Sequence, residues 1–393
     1  MLASTEEEHA PASAELPLNS GRTYVHHVRR HESGRTLLEV LSDAYRHSSA
    51  SEWQAHAEAG RVHVEGCVSD GTATVGEGQR IEYHRQPWRE PPAPMSALST
   101  LHEDSALLAL NKPPGLPVLP SEVYWDNTVV AALRTAHEKG TASSDVPHPV
   151  HRLGVGTSGV LLCAIGAPAR AALSRAFEGR SIHKTYRTLV TGLARRPKRK
   201  HGDDDAGDEV ASADTPKAHR HVSAPSSSSA DSTEDGGAAE GGAAEGGATF
   251  EITCPIGPVP HCSWGGTVHG ARPDGGTGAK PARSIVRVLR RDAARGRSLV
   301  EVQIPTGRPH QIRIHMAYAG HPLVDDPLYA AGGVPIAPPP GSDARPALPR
   351  DAGYLLHAWR AELDHPTSGK RLVLLAPPPA ELALEGEAVS KYA

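Results

Sequence analysis

The chain has 393 residues, 38% of them hydrophobic, and 41 Lys and Arg against 45 Asp and Glu give a formal net charge of −4. This composition supports a sizeable core, and no apolar stretch approaches the roughly 20 residues of a membrane-spanning helix. Cys67, Cys163, Cys254 and Cys262 form no C-x-x-C pair, which disfavours a disulfide framework and a four-thiolate zinc site. We therefore expect a cytoplasmic, monomeric protein with reduced thiols and no membrane partner.

The N-terminal part of the chain predicts a small module. Residues 1–20 are acidic and predict disorder, and residues 36–60 carry two short helices, the second with Ser51 as N-cap and Gly60 as stop. RVHVEG and GEGQRIEYH then alternate as strands. Residues 21–86 form this module and 87–98 a linker. Helix, helix and hairpin with AEAGRVHVEG resemble the small RNA-binding domain first defined in protein four of the small ribosomal subunit.

The remaining patterned sequence predicts a second, larger domain over residues 99–380. Strands are predicted at SALLALN, VLLCAIG, HKTYRTLVTGL, TFEITCPIG, SIVRVLRR, SLVEVQIPTG, LLHAWRAEL and KRLVLLAP, and helices at PARAALSRAFEGRSI and RPHQIRIHMAYAG. A Lys/Arg-, Asp-, Ser- and Gly/Ala-rich stretch predicts a disordered insertion at 195–248, and loop insertions are predicted at 258–282 and 334–350. Residues 381–393 are a tail.

Charge is distributed unevenly along the chain. Many acidic residues lie in GDDDAGDEVASAD and STEDGGAAEGGAAEGG, which are too polar to fold, whereas RVLRRDAARGR and GRPHQIRIH are basic and lie in patterned sequence. The local field of the folded part decides binding to phosphate. The sequence therefore predicts a nucleic-acid partner in spite of the net negative charge.

The stretch HRLGVGTSGV, residues 151–160, contains the G-x-G-x-x-G spacing of a dinucleotide-binding loop. That loop requires a buried strand before the glycines and a helix starting within them. Pro147 and Pro149 precede the glycines here, and the following VLLCAIG is typical of a strand. A nucleotide cofactor is therefore disfavoured, and so is a metal at Cys254, His261 and Cys262, which have no second ligand pair.

Five separated motifs give a specific resemblance. NKPPGLPVLP, HRLGVGTSGVLLCA, HKTYRTLVTG, PTGRPHQIRIHMAYAGHPLVDDPLY and LHAWRAELDHPTSG occur in the order found in pseudouridine synthases of the RluA/RsuA type, and the resemblance covers about residues 100–376. It implies an α+β fold with a mixed, largely antiparallel sheet and flanking helices, beside the small α/β N-terminal module. It also implies an RNA partner, rRNA or tRNA, and no cofactor.

The resemblance implies a set of site residues. Gly154 occupies the place of the aspartate that carries the covalent step, Arg313 matches the arginine that pairs with that carboxylate, and Tyr186 matches the tyrosine near the target base. Leu356 with His357 matches the pocket wall. RNA-binding positions are expected at His151, Arg152, Thr157, Arg308, His310, Gln311 and His357, of which His310 and Gln311 could equally position the backbone.

Glycine supplies neither nucleophile nor anion, so the usual route is closed at position 154. Arg313 then needs another anion, because a desolvated charge without a partner costs several kcal/mol. Asp145 and Asp325 are the nearest candidates by motif adjacency, while Asp326 aligns with the family's ordinary acidic residue. Two functions stay open: an RNA uridine isomerase that works without a carboxylate at 154, and an RNA-binding or assembly factor that keeps the fold and lacks the chemistry.

Overall fold

The computed structural model describes residues 17–45, 48–140, 145–195, 247–261, 266–337 and 345–390. The predicted disordered insertion at 195–248 lies outside the described residues except at its ends, as does the predicted disordered start up to residue 16. Residues 17–20 are ordered, contrary to expectation: Leu18 pairs with Arg89, and the Ser20 N–H donates to Asp126.

The N-terminal residues form a four-stranded antiparallel sheet covered by two helices. The strand order is β1-β4-β2-β3, and the elements are β1 Arg22–His27, α1 Leu37–Ala44, α2 Ala50–Glu58, β2 Val62–Val64, β3 Cys67–Val68 and β4 Arg80–Arg85. Ser49, and not Ser51, is the N-cap of α2, because Glu52 three residues later completes a capping box with it. Leu37, Leu41, Trp53 and Ile81 are buried between the helices and the sheet.

A ten-stranded mixed sheet forms the second body of the chain. Its order is β10-β13-β14-β9-β15-β8-β6-β5, with β16 added to β15 and β7 to β8, and within the described residues the β8–β15 pair is the only parallel one. The strands are β5 Ser99–Glu103, β6 Leu107–Lys112, β7 His148–Pro149, β8 Thr157–Ala164, β9 His183–Thr191, β10 Thr249–Ile252, β13 Ser284–Asp292, β14 Arg297–Gln303, β15 Leu356–Asp364 and β16 Arg371–Leu375. The predicted α+β class with a largely antiparallel sheet is confirmed.

Three helices flank this sheet and a separate hairpin lies beside it. They are α3 Val129–Glu138, α4 Ala167–Glu178 and α5 Gln311–Tyr318, and the hairpin consists of β11 Ile256–Pro260 and β12 Thr267–Ala271. The predicted loop insertion at 258–282 is therefore wrong for the residues of the hairpin, which are part of β11 and all of β12. Val259 and Val268 are buried, which supplies the apolar contact that a lone hairpin requires.

The predicted linker and tail are held against the large sheet's domain. Glu90 is 4% exposed and accepts hydrogen bonds from the N–H groups of Trp125, Asp126 and Asn127, so residues 87–98 do not form a free tether. In the tail, Leu382 is fully buried and Glu387 pairs with the buried Arg187. Both segments are polar or proline-rich in sequence, which conceals these tertiary contacts.

Candidate active site

The loop of residues 151–156 lies where β8 and β15 run side by side. In the parallel register Leu356 pairs with Thr157 and Ala358 with Gly159. Gly159 has φ of +102°, and a Cβ there would lie 2.3 Å from the Ala358 carbonyl oxygen, so only glycine allows this approach. The glycines lead into strand β8, whereas a dinucleotide-binding loop requires a helix to start within them.

Lys112 holds the 151–156 loop in place through hydrogen bonds to backbone carbonyls. It is fully buried, and its Nζ donates to the carbonyls of Pro113 at 2.8 Å, Leu116 at 2.7 Å and Val155 at 3.3 Å. Burial lowers the pKa of Lys112 to about 7. Three carbonyl acceptors match the three hydrogens of the ammonium form, so the geometry favours a charged lysine at neutral pH. The NKPPG turn and the 151–156 loop are thereby joined.

Gly154 is exposed, and two hydroxyl groups lie where its side chain would begin. A Cβ at this position would be 3.0 Å from the Tyr354 hydroxyl and 3.3 Å from the Thr157 hydroxyl, and these two oxygens are 3.5 Å apart. Gly154 does not adopt a left-handed conformation, so a side chain is disfavoured by the close Tyr354 and Thr157 hydroxyls and not by the backbone. Thr157 itself is 4% exposed.

Arg313 is buried below the same tyrosine. Its guanidinium carbon is 4.0 Å from the centre of the Tyr354 ring, and its Nε and Nη2 each donate to an Asp326 carboxylate oxygen at 2.7 Å. The third nitrogen, Nη1, is buried and has no hydrogen-bond partner. A bidentate pair holds the guanidinium plane, and the free Nη1 leaves capacity for one more acceptor.

The anion that Arg313 requires is thus Asp326, and the candidates Asp145 and Asp325 are wrong. Asp325 is exposed in a left-handed turn conformation, and Asp145 lies near Gly166. Arg313 lies on α5 but is only 2% exposed, so it is not a surface residue of that helix. The backbone N–H groups of Leu328 and Tyr329 donate to Asp326 Oδ1 and orient it toward α5.

His310 and Gln311 build the turn that begins α5. Gln311 is 3% exposed, and its side chain bonds Thr306, the Arg308 N–H, the Arg283 carbonyl and Ser284. The amide oxygen and nitrogen of Gln311 are both engaged in hydrogen bonds within the turn, so direct RNA contact by this side chain is not supported. His310 has a left-handed backbone with φ of 55°, and burial lowers its pKa to about 3.

The tautomer of His310 follows from Tyr329. The Tyr329 hydroxyl donates its one hydrogen to the His269 carbonyl at 2.8 Å, so His310 Nδ1 donates to Tyr329 at 2.9 Å. His310 Nε2 is therefore an acceptor. Arg152 is exposed and lies close enough to His310 and His269 to lower the pKa of both rings, after the larger effect of burial.

His151 and Tyr186 lie together on the other side of the loop, lining one small cavity with Phe177 and Lys184. His151 Nε2 accepts from the Leu162 N–H at 2.9 Å, and burial lowers its pKa to about 3, so it is neutral. Tyr186 is 7% exposed, and burial raises its pKa to about 12. The structure therefore joins Gly154 and Arg313 through Tyr354, while Tyr186 lies with His151.

His357 is a structural residue. It is 1% exposed, donates from Nε2 to the Ala376 carbonyl at 3.1 Å and accepts at Nδ1 from Ser158 at 2.9 Å. Burial lowers its pKa to about 4, so the ring is neutral. The expected RNA contact by His357 is therefore not supported, and buried Thr157 faces Tyr354 rather than solvent. Leu356 is 7% exposed and packs in the main core.

A basic cleft shares Phe177 and Lys184 with the small cavity of His151 and Tyr186. Arg308, Arg180 and Lys184 line it with Glu178, and Arg308 Nε donates to the Pro281 carbonyl. Sequence reasoning missed Lys184 and Arg180, because a strand lysine and a helix-end arginine carry no motif. It also missed Tyr354, which lies two residues before the start of the LHAWRAEL motif at Leu356.

A metal site at Cys254, His261 and Cys262 was disfavoured from the sequence, and the structure describes two of these three residues. Cys262 lies outside the described residues, whereas His261 Nε2 bonds the Ala347 carbonyl at 2.9 Å. Cys254 is a free, buried thiol. No helix among the described residues has the length and apolar content to span a membrane.

Comparison with known proteins identifies the family. The family model for RNA pseudouridylate synthase matches residues 106–318. The chain is 35% identical over 404 aligned positions to RNA pseudouridine synthase 5 of Oryza sativa subsp. japonica, covering 92% of this chain and 88% of that protein.

Two bacterial relatives extend the comparison. An uncharacterized RNA pseudouridine synthase of Synechocystis sp. is 34% identical, covering 88% of this chain and 95% of that protein. Ribosomal large subunit pseudouridine synthase D of Nitrosomonas europaea is 31% identical, covering 73% of this chain and 63% of that protein. The chain therefore belongs to the RNA pseudouridine synthase family, a family of RNA-modifying isomerases.

Proposed function

We propose that this protein isomerises uridine to pseudouridine in structured RNA, rRNA or tRNA, without a carboxylate at position 154. The observation that carries the proposal is the pair of hydroxyls, Tyr354 and Thr157, at the place of the missing side chain. Gly154 is exposed, so a nucleotide can approach the Tyr354 oxygen across it. Tyrosine can act as a covalent nucleophile.

The reaction balances with Tyr354 as the reacting group. Its phenolic proton passes to uracil N1 as the C1′–N1 bond breaks and the phenolic oxygen bonds C1′. The base turns, C5 bonds C1′, the phenolic oxygen departs, and the C5 proton restores the phenol. Arg313, 4.0 Å from the ring centre with Nη1 free, would stabilise negative charge on that oxygen.

A second candidate function is RNA binding without turnover. It is favoured by Gly154, which offers no side chain, and by Asp326, which already neutralises Arg313. In that case the cleft lined by Arg180, Lys184 and Arg308 would hold phosphates while no bond is made.

The choice of RNA rests on the relatives and on the N-terminal module. The Nitrosomonas relative is named as a synthase of the large ribosomal subunit, which supports rRNA as a substrate here. Residues 21–86 form a compact module in which Tyr24, Tyr45, Trp53 and Tyr83 line a cavity of about 370 Å³. Aromatic side chains beside basic residues can stack on unpaired bases, so we propose that this module binds RNA. We also propose that the protein acts as a monomer in the cytoplasm.

The test is tritium release from rRNA and tRNA transcripts labelled at uridine C5. Wild type should release tritium, and Tyr354→Phe should reduce release by roughly 100-fold or more, because the reacting oxygen is removed. Gly154→Ala should also reduce release, since its Cβ would press on Tyr354 at 3.0 Å. Tyr318→Phe, an exposed tyrosine on α5, is the matched control and should keep wild-type activity.

Other outcomes decide against the enzyme. If wild type binds the transcripts but releases no tritium, and Gly154→Asp gains release, the protein is a binder that retains the fold. If Tyr354→Phe is as active as wild type, Tyr354 is not the reacting group. Pseudouridine mapping of cellular RNA with and without the gene would then identify the modified position.

A further inference from the structure

The N-terminal sheet has one face that its helices do not cover. Ile81 and Tyr83 of β4 point into the helix-covered core, whereas Glu82 and His84 alternate to the opposite face. In the β2–β4 register His63 pairs directly with Glu82. Three side chains with metal-binding atoms thus meet on the outer face.

The hydrogen bonds of the two histidines leave one lone pair each for a ligand. His63 Nε2 lies 3.2 Å from the Gly60 carbonyl, which can only accept, so Nε2 carries the hydrogen and Nδ1 the lone pair. His84 Nδ1 bonds the Thr23 hydroxyl at 2.9 Å, and His84 Nε2 is buried with no hydrogen-bond partner. A buried ring nitrogen without a partner is costly unless an ion or a polar group meets it.

Glu82 supplies the negative charge. It is 9% exposed, and its Oε1 lies 2.7 Å from Arg80 Nη2 in an ion pair, which leaves Oε2 available. One ligand atom from each of His63, Glu82 and His84 lies within 4.8 Å of the others. A tetrahedral ion with ligand distances of about 2.0–2.2 Å holds its ligand atoms roughly 3.4 Å apart, so the three side chains must move together by about 1 Å when the ion binds.

We propose that His63, Glu82 and His84 bind a divalent transition-metal ion of the Zn²⁺ class. Two imidazoles and one carboxylate, with a fourth position left to water, are a donor set that Zn²⁺ accepts. The Thr23 hydroxyl orients the His84 ring from behind, as metal-bound imidazoles require. The ion joins β2 to β4 and stabilises the N-terminal module, and this role is independent of the chemistry at Gly154.

The experiment uses full-length protein stripped of metal with a chelator and titrated with ZnCl₂ by calorimetry. Wild type should bind one Zn²⁺ with micromolar or tighter affinity and unfold at a higher temperature when it is bound. His63→Ala and His84→Ala should each weaken binding by roughly 100-fold, and Thr23→Val by about 10-fold. Glu82→Gln, which keeps a hydrogen-bonding side chain beside Arg80, should also weaken binding.

The chain contains 23 histidines, so the control must exclude binding elsewhere. His27 lies on β1 with an exposed side chain on the same outer face, and it is not part of the cluster. His27→Ala should bind Zn²⁺ as wild type does, and Co²⁺ should give the visible absorption of a low-coordinate site only when His63 and His84 are present. Equal affinity in His84→Ala and wild type, or no binding at micromolar Zn²⁺, would overturn the proposal.

Discussion

At the scale of single residues, the sequence predicted that Arg313 belongs to the site but not which carboxylate forms its ion pair. Arg313 was identified from TGRPHQIRIH, and its need for an anion followed from the cost of burying a charge. The partner Asp326 could not be chosen over Asp325 from the sequence, because adjacent residues in a turn point in different directions. The turn at Asp325 has φ of 58°, which sends its own side chain to solvent and Asp326 inward.

Breaking this pair should destabilise the protein strongly. Asp326→Asn leaves the guanidinium of Arg313 buried without a counter-charge, so the free energy of unfolding should fall by about 3–5 kcal/mol. Arg313→Ala should cost a similar amount, because it leaves the carboxylate unpaired. Urea denaturation followed by tryptophan fluorescence measures both.

The neighbouring residue provides the control for this prediction. Asp325→Asn is exposed, and asparagine tolerates the left-handed conformation, so its unfolding free energy should stay within roughly 0.5 kcal/mol of wild type. Equal losses in the two variants would contradict a stabilising role that is specific to the Arg313–Asp326 pair.

At the scale of elements, apolar runs and alternating apolar residues predicted the long strands well, and helices were predicted correctly at α4 and α5. The strands β1, β3, β5, β7 and β12 and the helix α3 were not predicted. The burial of β1 alternates, but its outward residues include Thr23 and Val25, which mask the polar face. For α3, Thr128 caps the start and Gly140 follows the end, a signal that was present and overlooked.

The turn between β5 and β6 is joined to the turn between β15 and β16 by Asp104. Its carboxylate bonds His102 at 2.7 Å and His365 at 2.9 Å. Burial alone would raise the pKa of Asp104, but hydrogen bonds from the Ala106 N–H, His102 and the Leu107 N–H lower it to about 2. A carboxylate with a lowered pKa stabilises the fold above its unfolded pKa near 3.8, and this contribution is lost as pH falls through 2.

Asp104→Asn should therefore lower the unfolding free energy at pH 7 by about 1 kcal/mol. The full shift corresponds to roughly 2.5 kcal/mol, and solvent screening of a side chain that is 33% exposed reduces it. The difference from wild type should shrink between pH 4 and 2 in urea denaturation. Asp364→Asn, at the exposed end of β15, should be near neutral, and a pH-independent loss in Asp104→Asn would contradict this account.

At the scale of the whole molecule, the family motifs predicted the large mixed sheet, whereas the contacts between segments were not predictable. Residues 87–98 and 381–390 are held by Glu90 and by Leu382 and Glu387, and these contacts depend on partners far away in the chain. Similarly, Tyr354 lies far along the chain from Gly154, so no local pattern could show that its hydroxyl lies beside the missing side chain. The hydrophobic period and the short motifs can be recognised in local sequence, whereas the geometry of the site depends on contacts between residues that are far apart in the chain.

Four neutral histidines of the large domain, two of them fully buried (His315 and His357) and two partly buried (His151 and His310), predict that the molecule is sensitive to acid. Burial lowers the pKa to about 3 in His151 and His310 and to about 4 in His315 and His357. Below pH 6.5 the unfolded chain binds protons that the folded chain does not. The free energy of unfolding therefore decreases as the pH is lowered, until the pH reaches the pKa values of the folded protein.

Between pH 6 and 4.5 the unfolding free energy should accordingly fall by up to about 1.4 kcal/mol per pH unit for each histidine. His315→Gln, at a fully buried position, should flatten this slope by one proton whatever its effect on stability at pH 7. Urea denaturation at several pH values measures the slope, and a stability that is constant over this range would show that the four rings are already protonated in the folded protein.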